Sequence, residues 1–517
     1  MATERGDATA TGREMSTYKQ LAAGAAANLG TIVTGMMFGF SGVTLPAMMA
    51  VDHEPRVTYE EASWIASTIM MGVLVGCLLT GPLLDRYGRT GTIVLSQVPA
   101  VLGWLLIATA THDITWFFVQ LYGGRVLCGI SAALASAPSV VYVSEALDKN
   151  LRGVVITWPN VGNALGTVVM FILGSILQKN WRLIAGLSVI VPVLSILVVW
   201  CFLPESPIWL LSKGRIKEAE ISLKRVRNVP PDQNLPAGLQ QELDAMMSYS
   251  MSQDVKKETF TEQLSYLRQP EAYKPLLILN AFTFFQHFSG CTIIMFYALS
   301  IVSDMGVNVD TYVATVVLSV ARLVVVVALS YASKRFGRRA LCNVSGVGMS
   351  LSLTALALFS GLMHADVIDS EEAYRFNWIP VTSLLLFVVT SSLGFFWLPA
   401  SMMGELFPTK IRGSAAGFTG LMGCCLFFLV VKLYPYLKET MRYHNVFILY
   451  AVISVIGTIV MYFYLPETQG KTLAEIEQYF KSGERATRAE HKSLTSLEIH
   501  STKEDNVSSE TSRLTCN

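Results

Sequence analysis

Three short signatures occur twice in this chain, each pair about 250 to 260 residues apart. Gly81-Pro-Leu-Leu-Asp85-Arg86-Tyr-Gly88-Arg89 is echoed by Ser333-Lys334-Arg335-Phe-Gly337-Arg338-Arg339. Glu145 lies seven residues before Arg152-Gly153, and Glu405 seven before Arg412-Gly413. Pro204-Glu205-Ser206 closes one hydrophobic stretch and Pro466-Glu467-Thr468 another. Offsets this similar predict a duplicated unit. Because both copies are strongly apolar, the pattern points to a two-halved polytopic membrane protein built around one central site.

Composition agrees. Hydrophobic residues make up 52% and charged residues 15%, against about 25% charged in an ordinary soluble domain. A net charge of +1 with no long basic run gives no support for a nucleic-acid partner. Cysteines such as Cys128, Cys291 and Cys342 sit in apolar runs, where thiols pack as small hydrophobes. Their spacing suggests neither a metal site nor an extracellular disulfide framework. We find no nucleotide loop and no nucleophile–base set, so neither an enzyme nor a cofactor is expected.

A helix needs about 20 mainly apolar residues to cross a bilayer. Candidate spans fall near 21–47, 64–84, 90–110, 114–146, 152–177 and 182–203, then near 274–303, 311–332, 340–363, 377–405, 412–437 and 443–465. The expected fold class is therefore all-α, with twelve transmembrane helices in two pseudo-symmetric six-helix bundles. Predicted boundaries are a cytoplasmic tail at 1–20, a first bundle at 21–211, a linker with short amphipathic helices at 212–273, a second bundle at 274–480 and a disordered tail at 481–517. Basic residues concentrate in alternate loops (Arg86 and Arg89, Lys149 and Arg152, Lys334 to Arg339, Lys410 and Arg412). Acidic stretches such as Glu60-Glu61 and Asp366 to Glu372 occupy the others. The bias puts both termini in the cytoplasm.

With these motifs in place, the chain resembles the sugar-porter branch of the major facilitator superfamily. The resemblance rests on Gly81-x-Leu-x-Asp85-Arg86-x-Gly88-Arg89, Arg125, Pro204-Glu-Ser-Pro-Ile-Trp-Leu210, Gly337-Arg-Arg339 and Pro466-Glu-Thr-Gln-Gly470, and covers about 20–480. Glu60-Glu-Ala-Ser-Trp64 and Met402-Met-Gly-Glu405 look most like insect facilitated trehalose or glucose transporters. The resemblance implies a plasma-membrane, monomeric uniporter that moves a sugar such as trehalose or a hexose by alternating access.

The resemblance also assigns residues. A charge network at the cytoplasmic helix ends would comprise Asp85, Arg86, Arg89, Glu145, Arg152, Glu205, Arg338, Arg339, Glu405 and Arg412, acting as a latch or merely setting topology. Lys334 stands where the repeated motif usually has Asp, which weakens the second copy. Gln286 matches a sugar-binding amide, His287 replaces a second Gln, and Thr292 replaces Asn. Asn160 stands at a usual Gln position, with Phe296 nearby in the path. In Gly394-Phe-Phe-Trp397-Leu-Pro399-Ala400 the usual gate tryptophan is lost, and Trp397 is the candidate replacement.

Two arginines lie within apolar spans. Arg125 usually partners an Asp in proton-coupled sugar porters, but Ser41 stands at that position here, which favours uniport. Arg322 sits mid-span where relatives commonly carry Asn. Such a charge costs about 2.5–3.5 kcal/mol on insertion scales. It either donates to substrate oxygens, which would suit an acidic ligand, or bonds to helix-end carbonyls. Alternatives to a sugar uniporter are a proton-coupled symporter (through His287), an organic-anion carrier and a non-transporting nutrient sensor.

Overall fold

In the computed structural model, residues 2–50, 54–178, 180–230, 233, 235–253, 266–304, 310–332, 336–365, 376, 378–408, 410–471 and 473–482 are described. Lys334, Arg335, the acidic stretch 366–372 and the tail from 483 onward lie outside them.

Every regular element among the described residues is a helix. The first half contains α1 (Ala2–Met49), α2 (Tyr59–Ser67), α3 (Ile69–Ala108), α4 (Ile114–Ala146), α5 (Lys149–Val155), α6 (Trp158–Leu177), α7 (Trp181–Ser188) and α8 (Ile190–Phe202). Three short helices follow: α9 (Pro207–Ser212), α10 (Ile216–Arg227) and α11 (Ala237–Gln253). The second half contains α12 (Pro270–Phe288), α13 (Cys291–Phe296), α14 (Ala298–Asp304), α15 (Thr311–Ala332) and α16 (Arg338–His364). It continues with α17 (Trp378–Leu393), α18 (Leu398–Leu406), α19 (Arg412–Tyr464) and α20 (Leu473–Ser482).

Nine stretches among the described residues are long and apolar enough to cross a membrane. Two are far longer than one crossing requires: 59–108 has 50 residues and 412–464 has 53. Each contains a break in its backbone, at Gly88 (φ +79°) and Arg442 (φ +61°) respectively. The chain around 270–304 is divided by Gly290 (φ +87°), and that around 378–406 by a turn at 394–397. The nine stretches found among the described residues are fewer than the twelve spans expected.

The exterior has the composition of a lipid-facing surface. Leu78, Trp200, Phe202 and Phe463 are each at least 70% exposed, whereas Arg125, Gln97 and Ser41 are fully buried. Apolar side chains turned outward and polar ones turned inward invert the arrangement of a water-soluble domain.

Lipid tails are as apolar as leucine, so helix association in a bilayer relies on close backbone packing. Glycines provide it in the first half. Gly166 of α6 lies against the Ile32 carbonyl of α1, and Gly35 of α1 against the Asn163 carbonyl of α6. On α3 and α4, Gly72 and Gly129 meet the carbonyls of Val126 and Ile69 in the same reciprocal way.

The linker helices pack on the first half. Trp209, Leu210, Leu211, Ala219, Leu223 and Leu243 form a small core of their own. Buried Arg227 donates to the Ala146 carbonyl at 2.9 Å and pairs with Asp148 at 3.0 Å and Glu242 at 2.6 Å. Helix α10 buries Ala219, Leu223 and Val226, and Asn228 ends it in the left-handed conformation.

A side chain at residue 166 would collide with backbone, which cannot yield as a side-chain tip can. Gly166→Leu should destabilise the protein by about 1–3 kcal/mol or prevent its assembly. Gly417→Leu, which meets no atom within 4 Å, should be tolerated. Thermal unfolding of the two purified variants in detergent checks this contrast.

Candidate functional site

Two assemblies stand out: a repeated carboxylate cluster at the motif ends of the helices, and a cleft between the two halves.

In the first cluster Glu145, near the end of α4, takes a two-pronged bond from Arg89, Nε to Oε2 at 2.9 Å and Nη2 to Oε1 at 2.7 Å. Ser206 Oγ donates to the same carboxylate at 2.5 Å. Glu205 Oε1 accepts from the backbone N–H groups of Arg89 (2.9 Å), Thr90 (3.1 Å) and Ser206 (2.8 Å). A carboxylate here meets the free N–H groups and positive dipole of a helix beginning after Gly88. Gly88 is required twice over: its φ is positive, and a Cβ would strike the Glu205 carboxylate.

The second half repeats the construction. Glu467 accepts from the backbone N–H groups of Arg338 (2.9 Å), Arg339 (3.1 Å) and Gln469 (3.0 Å). Arg338 pairs with Glu405 at 3.1 Å, and Thr468 Oγ1 donates to Glu405 at 2.5 Å. Gly337 lies against the Glu467 carboxylate as Gly88 lies against Glu205.

The expected network is thus divided. Arg89, Glu145, Glu205, Arg338 and Glu405 come together, but within each half rather than across the two. Arg339 contributes its backbone N–H to Glu467 and its guanidinium to the Tyr462 carbonyl. Arg152 donates to the Ser144 carbonyl at 3.2 Å and Arg412 to the Phe407 carbonyl at 3.3 Å. Asp85 and Arg86 are exposed and form no ion pair among the described residues. Ser206, Glu467 and Thr468 were missing from the expected network. Their place in the repeated Pro-Glu-Ser/Thr signature was the signal that could have included them.

The cleft is lined by Thr157 and Asn160 of the first half and by Arg322, Ser330, Ser392, Phe396 and Trp397 of the second. Gln286 lies beside it and donates to the Phe396 carbonyl at 2.6 Å, fixing the turn between α17 and α18. Trp397 donates its indole N–H to the Leu393 carbonyl at 3.1 Å and keeps its ring at the cleft. His287 and Thr292 bond each other at 2.9 Å across the Gly290 break. The His287 ring also meets Phe427 edge-on, and Phe427 joins Phe296 and Phe38 in an aromatic cluster spanning the halves. His287, Thr292 and Phe296 are buried and do not line the cleft, whereas Asn160, Arg322 and Trp397 do.

The two intramembrane arginines differ. Arg125 is fully buried, and all three of its nitrogens have oxygen acceptors: Ile65 carbonyl at 3.1 Å, Met37 carbonyl at 2.8 Å and Ser41 Oγ at 2.6 Å. Arg322 has no backbone carbonyl acceptor among the described residues, contrary to one of its two expected roles. It contacts the Met295 thioether at 3.0 Å and Asn163 Oδ1 at 3.3 Å, with its guanidinium 4.3 Å from the Phe396 ring centre.

The halves also meet through Lys432, which donates to Ser63 Oγ at 2.7 Å and lies 4.2 Å from the Trp64 ring centre.

Comparison with known proteins places this architecture. The family profile described as sugar (and other) transporter matches residues 23–480. Over 484 residues the chain is 31% identical to the facilitated trehalose transporter Tret1 of Bombyx mori, covering 92% of this chain and 90% of that one. Tret1 of Culex quinquefasciatus is 30% identical over 466 residues, covering 89% and 86% respectively. Among solved structures, inward-open XylE, the xylose transporter of E. coli, superimposes with a TM-score of 0.72 at 18% identity, covering 89% of this chain and 99% of that one.

The division within the charge network can be tested directly. Glu145→Ala leaves Arg89 without its carboxylate and should cost about 1–3 kcal/mol of stability. Asp85→Ala, on an exposed and unpaired residue, should change stability by less than about 0.5 kcal/mol. Thermal melts of both variants in the same detergent provide the comparison.

Proposed function

We propose that this chain, which belongs to the sugar (and other) transporter family and to no enzyme family, is a uniporter that carries a sugar down its gradient by alternating access. The observation that carries this reading is the cleft whose walls come from both halves, mainly apolar but carrying Thr157, Asn160 and Arg322. Rocking of the halves about their shared contacts would expose that cleft to one side at a time. Each carboxylate cluster would keep the helix ends of its own half together as one rigid body during the motion.

On this reading the backbone breaks at Gly88 and Arg442 separate successive membrane crossings, and the interrupted stretch 270–304 supplies another. The total is twelve, six in 21–211 and six in 274–480, with 212–273 as a cytoplasmic linker. Both termini would face the cytoplasm of a plasma-membrane protein working as a monomer. Gln286, Asn160 and Trp397 are the proposed sugar contacts, with His287, Thr292 and Phe296 shaping the wall behind them. The trehalose transporters named among the relatives support a sugar substrate.

Downhill movement is favoured by the environment of Arg125. Its partner in α1 is the Ser41 hydroxyl, which cannot exchange a proton near neutral pH as a carboxylate can. Purified protein in liposomes should equilibrate labelled trehalose or a hexose and show counterflow. Accumulation that a protonophore abolishes would replace uniport with proton coupling. Single cysteines at 150 and 410 should both be labelled from the cytoplasmic side, and labelling from opposite sides would overturn the twelve-span topology.

A further inference from the structure

Arg322 occupies the cleft with unusually poor partners. It is only 6% exposed, yet its guanidinium, with five N–H donors, meets a thioether sulfur and one amide oxygen. Arg125 shows how the same fold satisfies a buried guanidinium when no ligand is needed: two backbone carbonyls and a hydroxyl surround it. No carboxylate pairs with Arg322 among the described residues. The cation therefore lines the substrate cleft without a protein counter-ion, and intramembrane charges placed this way mark binding paths.

We infer that the preferred substrate is a polyhydroxylated carboxylate, a sugar acid, with its carboxylate bound by Arg322. This deepens the carrier reading above and rests on it. The planar guanidinium matches a carboxylate in a two-pronged bond. Thr157, Asn160, Ser330 and Ser392 offer hydroxyl and amide groups around the same cleft, suited to the ligand's hydroxyls. Phe396 and Trp397 add ring faces for the apolar C–H side of a sugar.

The test is uptake by the full-length protein in liposomes, using labelled glucuronate, glucose, trehalose and lactate. Glucuronate should half-saturate at a concentration at least tenfold below that of glucose, and lactate, which lacks the ring hydroxyls, should compete weakly. Arg322→Asn should lower the glucuronate-to-glucose preference about ten- to a hundredfold, the range expected for losing a hydrogen bond to a charged group. Arg322→Lys should retain part of that preference. Neutral sugars moving as well as or better than glucuronate in the unmodified protein would overturn the inference while leaving the carrier reading intact. If none of the four moves, the carrier reading fails with it. Preferential uptake of lactate would assign the cleft to simple monocarboxylates and also overturn the sugar-acid proposal. The unmodified protein decides among these outcomes even if the Arg322 variants do not assemble.

Discussion

A carboxylate held at the amino end of a helix organises each half of this molecule. Glu205 and Glu467 each accept several backbone N–H bonds that the helix itself cannot satisfy. Each brings the end of its half's last long helix against the start of another helix several crossings earlier in the chain. The adjacent arginine then reaches Glu145 or Glu405, tying in a third helix. The approach is possible because Gly88 and Gly337 leave space where a Cβ would meet the carboxylate. Three helix ends are thereby fixed by charge-assisted bonds near the membrane edge, where exposed ion pairs alone would contribute little.

This arrangement changes the meaning of the charge network. A latch between the halves would have to break whenever the cleft opened to the cytoplasm. Clusters closed within each half can instead persist through the cycle. The contacts that join the halves have a different character: an aromatic group at Phe38, Phe296 and Phe427, the Lys432–Ser63 bond and the Arg322–Asn163 contact. Ring contacts and single hydrogen bonds can be exchanged at small cost as helices shift. The chain thus combines strongly bonded ends within each half with adaptable contacts between halves, the mechanical requirement for rocking about a central cleft.

The two intramembrane arginines are satisfied differently. Ser41 leaves Arg125 without an acidic partner, and backbone carbonyls of α1 and α2 complete its bonding. Arg322 receives no equivalent compensation. One buried guanidinium is therefore a structural junction among helices, whereas the other lines the cleft with few acceptors. Their sequence surroundings are similarly apolar, so this distinction came from the acceptors that each one finds.

Much of the architecture was legible from residue order. Apolar runs of bilayer length marked the membrane helices, because that constraint acts locally along the chain, and the duplicated motifs marked the two carboxylate clusters. The span Ile114–Ala146 matched its expected limits. The Pro-Glu-Ser/Thr signatures also contained the capping carboxylates, although their backbone partners, more than 110 residues away, could not be deduced. Only the tertiary structure decided which charges meet, that Asp85 and Arg86 stay outside the clusters, and that Arg322 lines the cleft while His287 and Thr292 bond each other. Hydrophobic periodicity sets which segments enter the membrane, but the direction and reach of a polar side chain depend on how the packed helices rotate against one another.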